Sequence, residues 1–127
     1  MNAVLDDDSD SARSIVDFLS AKGLDAKPFD CATNLLAAME DEHFDGFVVD
    51  WLLGENTAKD LLSKIRVRVP SGPLVILTGQ IATGLATEEE LVMVGASYRA
   101  LLFEKPTRPL SIFNALQVGF TPEAPAA

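Results

Sequence analysis

Near its start the chain reads Ala3-Val4-Leu5-Asp6-Asp7-Asp8, an apolar run that ends in three consecutive aspartates. Adjacent carboxylates repel one another, and at the end of a buried strand each also loses solvation. Such a cluster usually persists because a hard cation binds there. Taken alone, the stretch also fits an acidic loop exposed to solvent. The rest of the chain favours the first interpretation, because it repeats the same design.

Three further apolar runs each stop at a polar side chain. They are Phe47-Val48-Val49 before Asp50, Leu74-Val75-Ile76-Leu77 before Thr78, and Leu101-Leu102-Phe103-Glu104 before Lys105. Short runs rich in Val, Ile and Leu, separated by helical stretches, are typical of parallel strands covered by helices on both faces. The carboxyl ends of such strands meet at one edge of the sheet, where open α/β sheets bind ligands. The pattern therefore predicts one crevice that contains Asp6, Asp7, Asp50, Thr78 and Lys105.

The stretches between these runs carry apolar residues at helical spacing. The predicted helices are Ser11–Lys22, Thr33–Glu40, Ala58–Val67, Thr87–Ser97 and Pro109–Val118, with one more short strand at Leu24–Phe29. These elements predict a single α/β domain over residues 1–120, a doubly wound five-stranded parallel sheet with helices on both faces. Residues 121–127 have the composition of a linker.

Length and composition agree with this organisation. A chain of 127 residues, 48% of them hydrophobic, fits one domain with one core. The net charge of −9 argues against direct nucleic-acid binding, because phosphate backbones are bound by Lys and Arg. No stretch approaches the roughly 18 apolar residues of a membrane helix, so a cytoplasmic domain without membrane contact is expected. Neither the lone Cys31 nor the lone His43 has a partner that indicates a reactive or metal-binding site.

With these residues in this order, the chain resembles the receiver domains of bacterial two-component response regulators, the CheY-like proteins with a flavodoxin-like fold. The resemblance covers about residues 3–119 and rests on Asp6-Asp7, Asp50, Thr78 and the pair Lys105-Pro106. It implies a sheet with strand order 2-1-3-4-5. It also implies a signalling phosphoprotein that catalyses only its own phosphoryl transfer and dephosphorylation, and not a conventional enzyme.

The resemblance implies a divalent cation, Mg²⁺ or Mn²⁺, at the acidic cluster. Its ligands would be the side chains of Asp6, Asp7 and Asp50 and the backbone carbonyl of Leu52. Asp8 is the alternative to one of the first two aspartates, although it falls one place later than the family's acidic pair.

The resemblance also implies a phosphorelay role for three residues. Asp50 would accept a phosphoryl group, as an aspartyl phosphate, from a histidine kinase or a histidine phosphotransfer protein. The Thr78 hydroxyl would bond that group, and the Lys105 ammonium would pair with it. Taken singly, each residue has a simpler explanation: a strand-end cap for Asp50, a turn-capping hydroxyl for Thr78 and an exposed lysine for Lys105.

Two segments depart from the family pattern. The loop after Asp50, residues 51–58, lacks the usual proline and is expected to turn at Gly54 and Asn56. Between Thr78 and Lys105 the chain is several residues longer than is usual, and the excess is expected in the fourth helix or its flanks.

The place of the aromatic switch residue is also unusual, because it holds Leu102, while Tyr98 and Phe103 are out of register. We therefore expect signalling through a backbone shift of the fourth helix and fifth strand, with Thr78 and Leu102 as switch positions. That surface would contact a C-terminal output domain, another partner or a second copy of the chain.

Two alternative functions follow from the same residues. A degenerate receiver would act as an interaction module that works without phosphorylation, and the altered loops are consistent with it. A flavin or nucleotide binder would need a loop rich in Gly, Ser or Thr after the first strand. The three aspartates would repel a phosphate there, which argues against such a binder.

Overall fold

The computed structural model describes residues 1–53, 56–79, 88–105 and 107–118. In chain order the elements are β1 (Asn2–Leu5), α1 (Ser9–Ala21), β2 (Ala26–Phe29), α2 (Ala32–Asp41), β3 (Gly46–Asp50), β4 (Leu52–Leu53), β5 (Asn56–Thr57), α3 (Lys59–Arg68), β6 (Leu74–Thr78), α4 (Glu88–Tyr98), β7 (Leu101–Glu104) and α5 (Pro109–Val118). The predicted linker at 121–127 lies outside the described residues, as do Gly54, Thr87 and Pro106. Among the described helices, none has both the length and the apolar character that crossing a bilayer requires.

Five parallel strands form the main sheet, in the order β2-β1-β3-β6-β7. With the two-residue strands β4 and β5 set aside, this is the predicted order 2-1-3-4-5, which confirms the fold class. The register pairs Leu5 with Val49, Asp50 with Leu77, and Thr78 with Glu104. Because the strands end nearly level, the residues that follow them lie at one edge of the sheet.

Helices cover the sheet on both faces, and neighbouring residues of each central strand point to opposite sides. Val49 belongs to a buried cluster with residues of α2, α3 and α4, whereas Val48 belongs to a second cluster with residues of α1 and α5. This arrangement explains why the central strands are continuous apolar runs, since both of their faces are buried.

The helix boundaries agree with the predicted ones to within two residues in the described parts. The largest difference is at α1, which begins at Ser9 instead of Ser11. The Asp8 carboxylate causes this earlier start, because it accepts hydrogen bonds from the backbone N–H groups of Asp10 at 3.1 Å and Ser11 at 3.3 Å. Asp8 is thus the N-cap of the helix.

The loop after Asp50 doubles back on itself. Strands β4 and β5 form an antiparallel pair in which Leu52 is opposite Thr57. The N–H of Ala58 donates to the carbonyl of Trp51 at 2.8 Å, which closes the loop at its base. The chain therefore returns directly to the start of α3, next to the strand end that carries Asp50.

Gly46 leaves no room for a side chain at the start of β3. A Cβ atom there would lie 2.4 Å from Asn2 Oδ1, 3.1 Å from Leu116 Cδ2 and 3.2 Å from Pro73 Cγ. Asn2 is buried, and its Nδ2 donates to the carbonyl of Asp25 at 3.1 Å. Moving Asn2 aside would break that bond, so this contact cannot be relieved cheaply.

We therefore expect Gly46→Ala to lower the free energy of unfolding by about 1–3 kcal/mol, the usual effect of overpacking. The measurement is urea unfolding followed by the fluorescence of Trp51. Gly79→Ala is the matched control, because the nearest atom of the described residues to the new Cβ would be Lys105 Cβ at 3.9 Å. An equal loss in both variants would contradict this account of Gly46.

Candidate functional site

Three carboxylates meet at the carboxyl edge of the sheet. Asp6 and Asp7 follow β1 and Asp50 ends β3, and one oxygen of each lies within 4.8 Å of the others. Asp6 and Asp50 are only 2% and 7% exposed, whereas Asp7 is exposed. Two buried like charges at this distance need a cation close by.

Lys105 supplies one positive charge. Its Nζ lies 3.3 Å from Asp50 Oδ1 and 3.5 Å from Asp6 Oδ2. Its backbone N–H donates to the carbonyl of Thr78 at 2.8 Å, which fixes the end of β7 against the end of β6. Partial burial alone would lower the pKa of Lys105, but the carboxylates of Asp50 and Asp6 outweigh that effect and raise it. Lys105 is therefore a permanent cation of the site.

The electrostatics of Asp50 are dominated by its burial, which raises the pKa of this carboxyl to about 6. Lys105 acts in the opposite direction and lowers the pKa, while the negative charge of Asp6 raises it further. At neutral pH Asp50 is mostly ionised, but its ionised form is less stable here than in water. A further cation near Asp50 would therefore stabilise the folded chain.

The donor set suits a divalent cation. The cluster brings three carboxylates together beside one ammonium, and hard divalent cations prefer such oxygen ligands. Leu52, the predicted source of a carbonyl ligand, starts β4 two residues beyond Asp50. These residues fit the cation that the sequence predicts.

Asp8 differs from its two neighbours. Its carboxylate is used to cap α1, and its backbone N–H donates to Asp6 Oδ1 at 2.9 Å. The second bond helps to hold the Asp6 carboxylate in place. Sequence reasoning missed this cap, although an aspartate directly before an amphipathic stretch is a known N-cap signal.

The predicted switch positions lie on β6 and β7. Thr78 is the last residue of β6 and is 1% exposed, and among the described residues a Cβ on the following Gly79 would meet only Lys105 Cβ, at 3.9 Å. Leu102 packs on the sheet face that α4 covers, whereas Phe103 packs on the opposite face. Leu102 and not Phe103 therefore lies on the α4 side of the sheet, and Tyr98, at the end of α4, packs on the same side.

A cleft of about 640 Å³ opens between α1 and α5 and reaches the charged cluster. Its lining includes Asp6 and Lys105 from the cluster, together with Ser11, Ser14, Ile15, Leu77, Thr107 and Ile112. The lining combines hydroxyl groups with an apolar surface. The cleft thus reaches Asp6 and Lys105 from the side of α1.

The raised pKa of Asp50 predicts how stability depends on pH when no metal is bound. Between about 4 and about 6 the folded chain holds a proton that the unfolded chain has lost, so the free energy of unfolding falls as pH rises through this window. Asp50→Asn removes this fall in the free energy of unfolding. In EDTA at pH 7.5 the variant should be more stable than the wild type by on the order of 1–3 kcal/mol.

Urea unfolding at pH 4.5 and pH 7.5 measures this difference. It should be small at the lower pH and large at the higher one. Asp17→Asn, an exposed aspartate on α1, should match the wild type at both values. A stability gap for Asp50→Asn that does not change with pH would contradict the raised pKa.

Neither a protein-family model nor a curated protein matches this sequence. Solved structures do match it over most of its length. A response regulator from Burkholderia pseudomallei, determined with a phosphorylated aspartic acid, a calcium ion and citrate, has a TM-score of 0.77 at 24% identity. The match covers 91% of this chain and 65% of that protein, so the present chain spans about two thirds of its length.

Two other similar structures are single domains. The receiver domain of Francisella response regulator 1452 has a TM-score of 0.76 at 20% identity, covering 92% of this chain and 93% of that one. The chemotaxis protein CheY4 of Vibrio cholerae has a TM-score of 0.78 at 19% identity, covering 92% and 95%. The chain therefore has the flavodoxin-like fold of response regulator receiver domains.

Proposed function

We propose that this chain is a receiver domain that accepts a phosphoryl group on Asp50 from the phosphohistidine of a kinase or phosphotransfer protein. The observation that carries the proposal is the position of the Lys105 ammonium, within 3.5 Å of the buried carboxylates of both Asp6 and Asp50. The exposed Asp7 carboxylate lies beside them. These contacts support Asp50 as the nucleophile and Lys105 as the cation that receives an anionic group beside it.

In the proposed reaction an Asp50 oxygen attacks phosphorus, a P–O bond forms and the P–N bond of the donor breaks. The electron pair of that bond stays on the imidazole, which is protonated on its second nitrogen in the donor and departs neutral. Lys105 neutralises charge on the phosphoryl oxygens, which lowers the barrier between two anions. The Thr78 hydroxyl, at the end of β6, is proposed to bond the group.

Asp6, Asp7 and Asp50, with the Leu52 carbonyl, are the proposed ligands of Mg²⁺ or Mn²⁺. When bound, the cation would neutralise oxygens of the transferring group that Lys105 does not reach. The three carboxylates, one oxygen of each lying within 4.8 Å of the others, support this assignment.

The cleft between α1 and α5 supports an approach route for the phosphoryl donor. Asp6 and Lys105 line this cleft, and the half-buried Ile15 gives it an apolar surface that suits contact with a protein. For the output we propose the surface of α4 and β7. A Cβ on Gly95 of α4 would lie only 3.3 Å from Leu102 Cδ1, and this close packing of helix and strand supports a displacement of the helix instead of a side-chain rotation.

The first test of this function is covalent labelling. After incubation with acetyl phosphate and Mg²⁺, intact-mass measurement should show one added phosphoryl group on the wild type. Asp50→Asn should show none, because the amide is not a nucleophile, while Asp17→Asn should label as the wild type does. Label retained by Asp50→Asn would contradict the assignment. An unlabelled wild type would favour an interaction module that works without phosphorylation.

The second test concerns the metal. Asp7→Asn removes one proposed ligand and one charge, so the Mg²⁺ concentration at half-saturation should rise about tenfold or more. The fluorescence of Trp51, buried next to Asp50, reports binding. Asp8→Asn is the matched control, because it removes a neighbouring charge but keeps a good N-cap residue for α1. Equal titration curves for Asp7→Asn and the wild type would exclude Asp7 as a ligand.

A further inference from the structure

Arg66 joins two turns at the end of the sheet opposite the acidic cluster. Its Nε donates to the carbonyl of Tyr98 at 2.7 Å, and its Nη1 donates to the carbonyl of Val69 at 3.2 Å. Its Nη2 donates to the carbonyls of Gly72 and Arg99, both at 3.0 Å. One partly buried guanidinium thus links the turn between α3 and β6 to the turn between α4 and β7.

Arg99 completes this link from the other side. It directly follows α4 and has a φ of 53°. Among the described residues, no other non-glycine residue has a positive φ. Glycine is the usual residue after a helix in this conformation, so an arginine there is strained. The Arg99 Nη2 donates to the carbonyl of Pro70, while the Arg99 carbonyl accepts from Arg66. We call the two side chains and the carbonyls they bind the carbonyl clamp.

The chemistry of the clamp makes it hard to release. The described acceptors of Arg66 are main-chain carbonyls, so no acceptor can leave the guanidinium by a side-chain rotation of its own. Several of them belong to the ends of α3 and α4, where the helix dipole is negative and a cation is favoured. A guanidinium offers five donors in a fixed fork, which suits contact with several carbonyls at once.

A second set of contacts fixes the same end of α4. The N–H of Ala100 donates to the carbonyl of Gly95 at 2.8 Å. A Cβ on Gly95 would lie 3.2 Å from the Ala100 carbonyl oxygen and 3.3 Å from Leu102 Cδ1, so helix and strand are in close contact there. The last turn of α4 is therefore held both by the clamp and by packing on β7.

We infer that the carbonyl clamp makes the C-terminal end of α4 a pivot. When the Asp50 site changes state, the part of α4 before Gly95 is displaced, while residues 96–101 keep their positions. The change of state at Asp50 in this inference rests on the proposed function, whereas the anchoring of α4 by Arg66 does not. A partner that senses the state of the site would accordingly bind the first turns of α4 and not its end.

Amide hydrogen exchange of the full chain without ligand tests the anchoring. Arg66→Met should speed the exchange of residues 96–101 at least tenfold relative to the wild type. Arg68→Met is the matched control, because Arg68 lies on the same helix but pairs with Glu40 on the surface at 3.2 Å. Equal exchange in the two variants would overturn the inference. If Arg66→Met does not fold, Arg66→Lys keeps the charge without the fork and should still speed exchange severalfold.

Beryllofluoride with Mg²⁺, a mimic of the bound phosphoryl group, tests the pivot. In the wild type, exchange should change in residues 88–94 and stay constant in residues 96–101. In Arg66→Met the change should extend to residue 101. If exchange in α4 of the wild type does not change, or changes equally along the whole helix, the pivot is contradicted.

Failure of the proposed function can be distinguished from failure of the pivot. If the proposed function is wrong, beryllofluoride leaves the fluorescence of Trp51 and the exchange around Asp50 unchanged. The comparison of Arg66→Met with Arg68→Met without ligand would then still decide whether Arg66 anchors the helix.

Discussion

The pairing of one lysine with two buried aspartates constrains the arrangement of the sheet. Asp6 and Asp50 come from neighbouring strands and repel each other, and Lys105 lies within 3.5 Å of both. For its ammonium to reach them, β7 has to end level with β6, and the hydrogen bond from Lys105 to the Thr78 carbonyl fixes that level. The charge balance of the site thus depends on the parallel register of the strands.

The strands and the meeting of their polar ends were predictable because both follow from local patterns. A continuous apolar run of three or four residues identifies a strand covered on both faces, and Asp50 or Lys105 marks where it ends. The strand order came from the resemblance to receivers, since no local pattern specifies which strands are neighbours. The N-cap role of Asp8 was missed because its charge was interpreted together with that of Asp6 and Asp7.

The carbonyl clamp was not predictable at all. In the sequence Arg66 looks like an ordinary charged residue on the outer face of an amphipathic helix. Its described partners are main-chain carbonyls, which every residue possesses and which leave no mark in a sequence. The two ends of the sheet therefore differ: one brings three carboxylates together beside Lys105, and at the other Arg66 binds main-chain carbonyls of two turns.

Pro28 makes the two edge strands of the sheet, β2 and β7, different from each other. The N–H groups of Asn2 and Asp6 donate to the carbonyls of Asp25 and Phe29, so the odd-numbered residues of β2 face β1. Pro28, between them, faces outward, where its missing N–H interrupts the row of donors that another strand would need. Strand-to-strand aggregation is therefore discouraged at the β2 margin, whereas β7 contains no proline and retains its full set of outward donors and acceptors.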